Sequence, residues 1–296
     1  MFLTGCAGGT SSRGESATIA PRDPRGLAVF RGGDGSTAAW GDVVEAAAGA
    51  EVVLIGENHG HALGLAAAAA LFEDVLAQPG VAARAALAME FIERDEQADV
   101  DDYLSGVTDG AGFAAASRRT ASNFPAGHRA MVEAARRAGR PVVAANAPRR
   151  YVRLARTAGF ERLTGLGAEQ RRLFRLPDVE VGGRYREEFD KLMGGNSAAM
   201  FRAQSVWDWT MAESVTRSVA KGDAPTVLVV GRFHVDFDGG TAQAVRLIRP
   251  GTRVVTVSFV DAESAALRGE DAGRADFVVY AGPFEEAGGV AGASGD

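Results

Sequence analysis

Residues 51–77 read "EVVLIGENHGHALGLAAAAALFEDVLA", and the fold class follows from the change of period inside this stretch. Val52 to Ile55 are apolar without alternation, which suits a strand covered on both faces rather than one with a wet side. Past Gly56 the chain turns through Glu57, Asn58, His59 and His61 and resumes as an Ala/Leu-rich helical stretch. The whole chain has four histidines, so two of them in one turn at a strand end mark that turn as a place for chemistry.

The same grammar recurs along the chain. "RAALAMEF" is followed by "DEQADVDDYLSG", "RPVVAANAP" by "RRYVRLARTAG", and "PTVLVVG" by "GGTAQAVRLIRP", with further strands at "GLAVFRG", "TRVVTVSFV" and "ADFVVYAG". Apolar strands alternating with helices predict an α/β fold, a mostly parallel central sheet flanked by helices. From about Phe160 to Lys221 strand signals vanish, which predicts a helical insertion in the middle of the chain. Its Phe201, Val206, Trp209 and Met211 are expected to pack on the domain. Ser36 and Thr37 are expected to open a helix running through Val44.

A chain of 296 residues fits one large α/β unit with tails, and 46% hydrophobic with 24% charged residues is an ordinary globular balance. The net charge of -6 is spread among acids and arginines without a basic block, so no nucleic-acid partner is expected. The single cysteine, Cys6, excludes a disulfide framework and any CxxC site. "LTGC", Leu3 to Cys6, resembles the lipobox of bacterial lipoproteins, and the small, polar stretch behind it has the composition of a tether. Five residues before Cys6 cannot supply a signal peptide's charged and apolar regions, so this reading expects a start upstream. The expected organisation is a lipobox remnant and flexible tether over 1–24, an α/β domain over 25–284 and a disordered tail over 285–296. Lipidation at Cys6 would place the protein at the bacterial cell envelope, in the periplasm or on the outer membrane, through an N-terminal lipid anchor. No apolar run elsewhere is long enough to span a bilayer.

Three apolar strands end in groups that ordinary strand ends lack: Glu57 and His59 past Gly56, Glu90 in "AALAMEF", and Arg232 and His234 past Gly231. Beyond the carboxyl ends of neighbouring parallel strands such side chains converge in one crevice. His59, Glu90 and His234 make a standard ligand set for a divalent transition metal, whose bound water becomes a nucleophile near neutral pH. Glu57 or Glu93 would then act as general base, and Arg232 would stabilise an oxyanion. Each glycine before the turn is expected to supply unusual backbone angles.

Five motifs, taken in order, resemble the ChaN family of haem-binding uptake proteins within the wider Tiki and erythromycin-esterase-like superfamily. They are "GENH" (Gly56 to His59), "MEFIERDEQ" (Met89 to Gln97), "NAPRRYV" (Asn146 to Val152), "AQSVWDWTMAES" (Ala203 to Ser214) and "GRFHV" (Gly231 to Val235). The resemblance spans roughly Val52 to Val260. It implies a haem-binding lipoprotein involved in haem and iron uptake; its esterase-like side implies a metal-dependent hydrolase, esterase or protease-like, built on the paired histidines. Whether the protein is an enzyme therefore stays open at this point.

Haem requires an axial ligand, an apolar slot and cations for its propionates. Tyr103, Tyr151, Tyr185, His128 and the two GxxH histidines are candidate ligands, with Tyr151 and His128 placed first. Arg149, Arg150 and Arg232 are candidate cations. His128 stands where the resemblance leads one to expect tyrosine. Asn146, Gln204 and Asp208 are expected to orient the histidines from behind, Gln204 and Asp208 sharing one helical face at i, i+4. Expected cofactors are haem and, as the alternative, a divalent transition metal. Expected partners are haem or a small-molecule ligand, a membrane through the lipid anchor and, as an open alternative, a second copy in a homodimer.

Overall fold

A computed structural model describes residues 22–120 and 122–284; Cys6, most of the expected tether and the expected tail lie outside them. Strand β1 (Ala28–Arg31) pairs antiparallel with β2 (Thr37–Ala38), and helix α1 (Trp40–Gly49) follows. The core alternation then runs β3 (Val52–Glu57), α2 (Ala62–Leu76), β4 (Ala86–Glu93), α3 (Gln97–Ser105), α4 (Gly110–Ala116), α5 (Ala126–Arg137) and β5 (Val142–Asn146). Next come four successive helices, α6 (Arg149–Thr164), α7 (Ala168–Arg171), α8 (Gly183–Met193) and α9 (Ser197–Ala220). The chain closes with β6 (Thr226–Gly231), α10 (Gly240–Ile248), β7 (Val254–Val260) and β8 (Phe277–Tyr280).

Among the described residues the eight strands form one sheet in the order β2-β1-β8-β7-β3-β6-β4-β5. From β8 to β5 every pairing is parallel. β3 and β6 are buried at all six positions because both faces are covered. Val53 and Ile55 join α1, α2 and α5 in one core, whereas Val52 and Leu54 join α9 and α10 in a second core behind the sheet, as the two-residue period of a strand requires. The predicted insertion from about Phe160 to Lys221 takes in the end of α6 and all of α7 to α9, while the body of α6 is the helix expected after β5. No helix among the described residues is long and apolar enough to cross a membrane.

The expected helix from Ser36 begins later. Thr37 and Ala38 pair with β1 instead, and α1 starts at Trp40 with the Asp42 carboxylate accepting from the backbone N–H of Ala39 at 3.0 Å. An acid reaching back from the first turn supplies the cap that Ser36 and Thr37 were expected to provide.

After β3 the chain proceeds towards the β5 edge, and after β6 it proceeds towards β8. The direction of winding therefore reverses where β3 and β6 lie side by side, which is where an open α/β sheet leaves a crevice at its carboxyl ends. Helices α6 to α9 pack over that crevice.

Candidate functional site

A cleft of about 540 Å³ lies between the ends of β3, β4 and β6 and helices α6, α8 and α9. His59 and Glu90 stand on the sheet side, with Phe91 and Glu93 from the end of β4. Arg149, Val152, Arg153 and Arg156 come from α6, Phe189 and Met193 from α8, and Met200, Ala203, Gln204 and Trp207 from α9. The strand order explains the convergence: Glu57 pairs with Gly231 across β3 and β6, and Met89 with Val229 across β4 and β6, so the three ends sit at one level. Glu90 Oε2 accepts from the Gly231 N–H at 2.6 Å and ties β4 to the turn after β6.

His59 owes its orientation to Glu57. The two are two residues apart, where an extended chain puts side chains on one face. Glu57 Oε1 lies 3.1 Å from His59 Nδ1, and its other oxygen lies 2.6 Å from Nε2 of His128. Burial pushes the Glu57 carboxyl up, but hydrogen bonds first from His128 and then from His59 more than reverse this and hold it below the ordinary carboxylate range. The Glu57 bond in turn raises His59, against the opposing effect of burial. His59 Nε2 has no hydrogen-bond partner among the described residues; the ring lines the cleft, with Nε2 beside Gly231.

His234 repeats the arrangement from the other side. Its Nδ1 lies 2.7 Å from Asp208 Oδ1 and its Nε2 lies 3.7 Å from Glu90 Oε1. Asp208 is fully buried and also accepts from Tyr185 Oη at 2.6 Å and Thr241 Oγ1 at 2.8 Å. Burial lowers the His234 pKa; the charge and hydrogen bond of Asp208 outweigh it, and the imidazole ends above its ordinary value. The Gln204 amide stands 3.1 Å from His234 Nδ1. Gln204 and Asp208 thus contact the histidine that they were expected to support. Asn146 lines the cleft and accepts from the Ala147 N–H at 2.9 Å.

Several expected roles are corrected. His59, Glu90 and His234 do gather around Gly231, yet among the described residues no three His, Cys, Asp or Glu side chains are arranged to hold a metal ion. One oxygen of Glu90 is taken by the Gly231 backbone and the His234 ring by Asp208 and Gln204, while His59 Nε2 stays unpartnered. As placed, the three side chains do not make a metal site. Glu57 is buried with both oxygens occupied, so it is no free base; Glu93 does reach the cleft, where burial raises its carboxyl above the ordinary range. Arg232 leans towards Asp236 and Asp261, at 3.9 and 3.6 Å, and is not among the cleft's walls.

The expected haem ligands move as well. Tyr151 is buried against Phe174, ring centroids 5.0 Å apart, and Arg150 lies over its ring while pairing with Asp95 at 2.6 Å. Helical geometry gives the reason: at about 100° per residue, 151 points away from the face shared by 149, 153 and 156. Tyr103 donates to Glu133 and Tyr185 to Asp208, so both are engaged away from the cleft. His128 is buried behind Glu57 rather than open to a ligand. Of the expected haem residues His59 and Arg149 line the cleft, Arg149 at 3.6 Å from Glu93. The sequence reading missed Arg153 and Arg156, although their spacing from Arg149 was a helical stripe in plain view.

The two glycines are required for a different reason from the one expected. Neither has a positive φ. A Cβ on Gly56 would come 2.9 Å from Arg232 Cα, and one on Gly231 would come 2.8 Å from His59 Nε2. Close approach, not backbone angle, is what a side chain meets at both: backbone at Gly56, the movable end of His59 at Gly231.

A family model described as haem-binding uptake, Tiki superfamily, ChaN matches residues 43–245. No curated protein matches. One similar solved structure is that of cofacial haem binding to ChaN of Campylobacter jejuni, at 13% identity, covering 86% of this chain and 96% of that chain with a TM-score of 0.66, which is a likeness of fold. The type III effector HopBA1 is similar at 16% identity, covering 90% and 100% of the two chains, with a TM-score of 0.49. The erythromycin esterase EreC in its open conformation is similar at 15% identity over 82% and 78%, with a TM-score of 0.45.

Proposed function

Because the chain belongs to the haem-binding uptake family of the Tiki superfamily, the ChaN family, we propose that it binds haem in the cleft at the carboxyl ends of β3, β4 and β6. One observation carries this reading: a single cleft combines an unpartnered imidazole nitrogen, an apolar wall and a row of arginines on one helix face. Its volume of about 540 Å³ suits a ligand of cofactor size. His59 is the iron ligand through Nε2, fixed in the required tautomer by Glu57. Phe91, Phe189, Met193, Met200 and Trp207 supply the apolar faces. Arg149, Arg153 and Arg156 meet the propionates with charge-assisted hydrogen bonds. When bound, haem would supply an iron for His59 and two carboxylates for the arginines; the residues here would bind and orient it, and iron and haem uptake is the role that follows.

The test is a haem titration of the purified protein followed by absorption. A saturable Soret band at stoichiometric haem, lost in His59→Ala, is expected. A band that survives His59→Ala unchanged, or no saturable band in the wild type, overturns the assignment.

The lipobox reading of Leu3 to Cys6 belongs to the same proposal, since tethering at the cell envelope suits a haem-uptake protein. In its native host the protein should partition with membranes and a Cys6→Ser form should not; equal partitioning sinks the anchor.

A further inference from the structure

His128 is a buried histidine beside the cleft's His59–Glu57 pair that the binding reading leaves unused. Its side chain is about 1% exposed, and its ring lies 4.4 Å from that of Phe91 and 6.3 Å from that of Phe124. Nε2 lies 2.6 Å from Glu57 Oε2, whereas Nδ1 is a buried atom with no hydrogen-bond partner.

These facts assign the protons along the row. An ionised carboxylate only accepts, so a contact of 2.6 Å needs a proton on His128 Nε2. A second proton on Nδ1 would leave a buried N–H unpaired, which costs about 1–3 kcal/mol, so Nδ1 is the bare nitrogen. With one oxygen of Glu57 held by His128, the other is turned to His59 Nδ1 at 3.1 Å and can only accept there as well. His59 therefore carries its proton on Nδ1 and leaves the Nε2 lone pair free.

We propose that His128 is a positioning residue for ligand binding: its Nε2–H anchors Glu57 so that the carboxylate takes the Nδ1 proton of His59 and leaves Nε2 bare towards the ligand. The inference rests on the haem reading only for the identity of that ligand. Without the His128 donor, the buried carboxylate loses one of its two compensating bonds and is free to turn. A turned carboxylate lets His59 populate the tautomer with its proton on Nε2, which cannot coordinate.

The experiment is nitrogen-15 NMR of the histidine rings in the haem-free, full-length protein, with haem affinity measured alongside. At a pH above the raised pKa of His59, the wild type should show His59 with a protonated Nδ1 and a bare Nε2, and His128 the reverse. His128→Phe keeps the ring packing and removes the donor; it should give a tautomer mixture at His59 and weaken haem by about tenfold. His128→Gln, which can place an amide donor near the same point, should restore the wild-type tautomer and most of the affinity. A wild-type His59 protonated on Nε2 overturns the proposal, as does an unchanged His59 tautomer in His128→Phe. If His128→Phe does not fold, the wild-type spectrum and the Gln variant decide alone: loss of the Nδ1 proton in His128→Gln also overturns it. Absence of haem binding in the wild type would refute the proposed function while leaving the tautomer result readable.

Discussion

Asp208 Oδ1 lies 2.7 Å from His234 Nδ1, with the carboxylate fully buried and the imidazole nearly so. Asp208 is thus the hub of a closed polar cluster, since Tyr185 and Thr241 donate to it as well. Gly240 packs so tightly on the carboxylate that a Cβ there would collide with it. Asp208→Ala removes the one acceptor common to three buried donors and leaves them unpaired. It should cost about 3–5 kcal/mol in urea unfolding, the usual penalty for breaking a buried pair from one side. A loss under about 1 kcal/mol would show that water re-enters and satisfies the cluster.

Protonation of His234 gives this cluster a pH signature. Its pKa is lowered by burial but raised further by Asp208, so the folded value stands above the unfolded value of about 6.5. The folded state binds the proton more tightly, and the resulting stabilisation is complete below about pH 6.5 and disappears as pH rises through the folded pKa. The difference in unfolding free energy between the wild type and His234→Gln should therefore be larger near pH 5.5 than near pH 9. His59 is also raised, but it is present in both proteins and cancels from the difference. A difference that grows with pH would mean His234 is held neutral.

Crowding at Gly231 yields a variant that acts on the cleft without touching the core. An alanine there places its Cβ 2.8 Å from His59 Nε2 and 3.5 Å from Glu90 Oε2, the ends of side chains that can swing into the cleft. Gly231→Ala should lower haem affinity by about tenfold to a hundredfold and stability by only about 1 kcal/mol. Unfolding of the variant, with affinity intact in the folded fraction, would place the glycine's role in the fold instead.

The sequence carried the architecture because it rests on local signals. β3, β4 and β6 were legible as apolar runs, and the histidine turns as their ends. What joins those ends was not legible: the Glu90 bond to the Gly231 N–H spans 141 positions, and the pairing of β4 with β6 between non-consecutive strands is fixed only by the whole sheet. His128 was read as a ligand because a histidine looks available in a sequence. Its companions at i+3, i+4 and i+7, Met131, Val132 and Ala135, form the buried stripe of α5 and already pointed inward. The same periodicity would have separated Tyr151 from Arg149 and drawn in Arg153 and Arg156. Ser36 and Thr37 misled for the opposite reason, since residues that cap helices also suit short edge strands.

The arginine stripe permits a test in which the ligand, not the protein, is altered. Arg153 and Arg156 are exposed and Arg149 is 79% exposed, so each pairing with a carboxylate contributes about 0.2–1 kcal/mol. Replacing all three by glutamine should weaken haem binding by about threefold to a hundredfold, with the loss shrinking as salt is raised. Haem whose propionates are esterified keeps the iron and the apolar faces but offers no anion. The triple variant and the wild type should bind that ester equally well, because His59 and the apolar walls are unchanged. Equal weakening towards free and esterified haem would show that α6 shapes the cleft rather than pairing with charge, and the propionates would then have to face solvent.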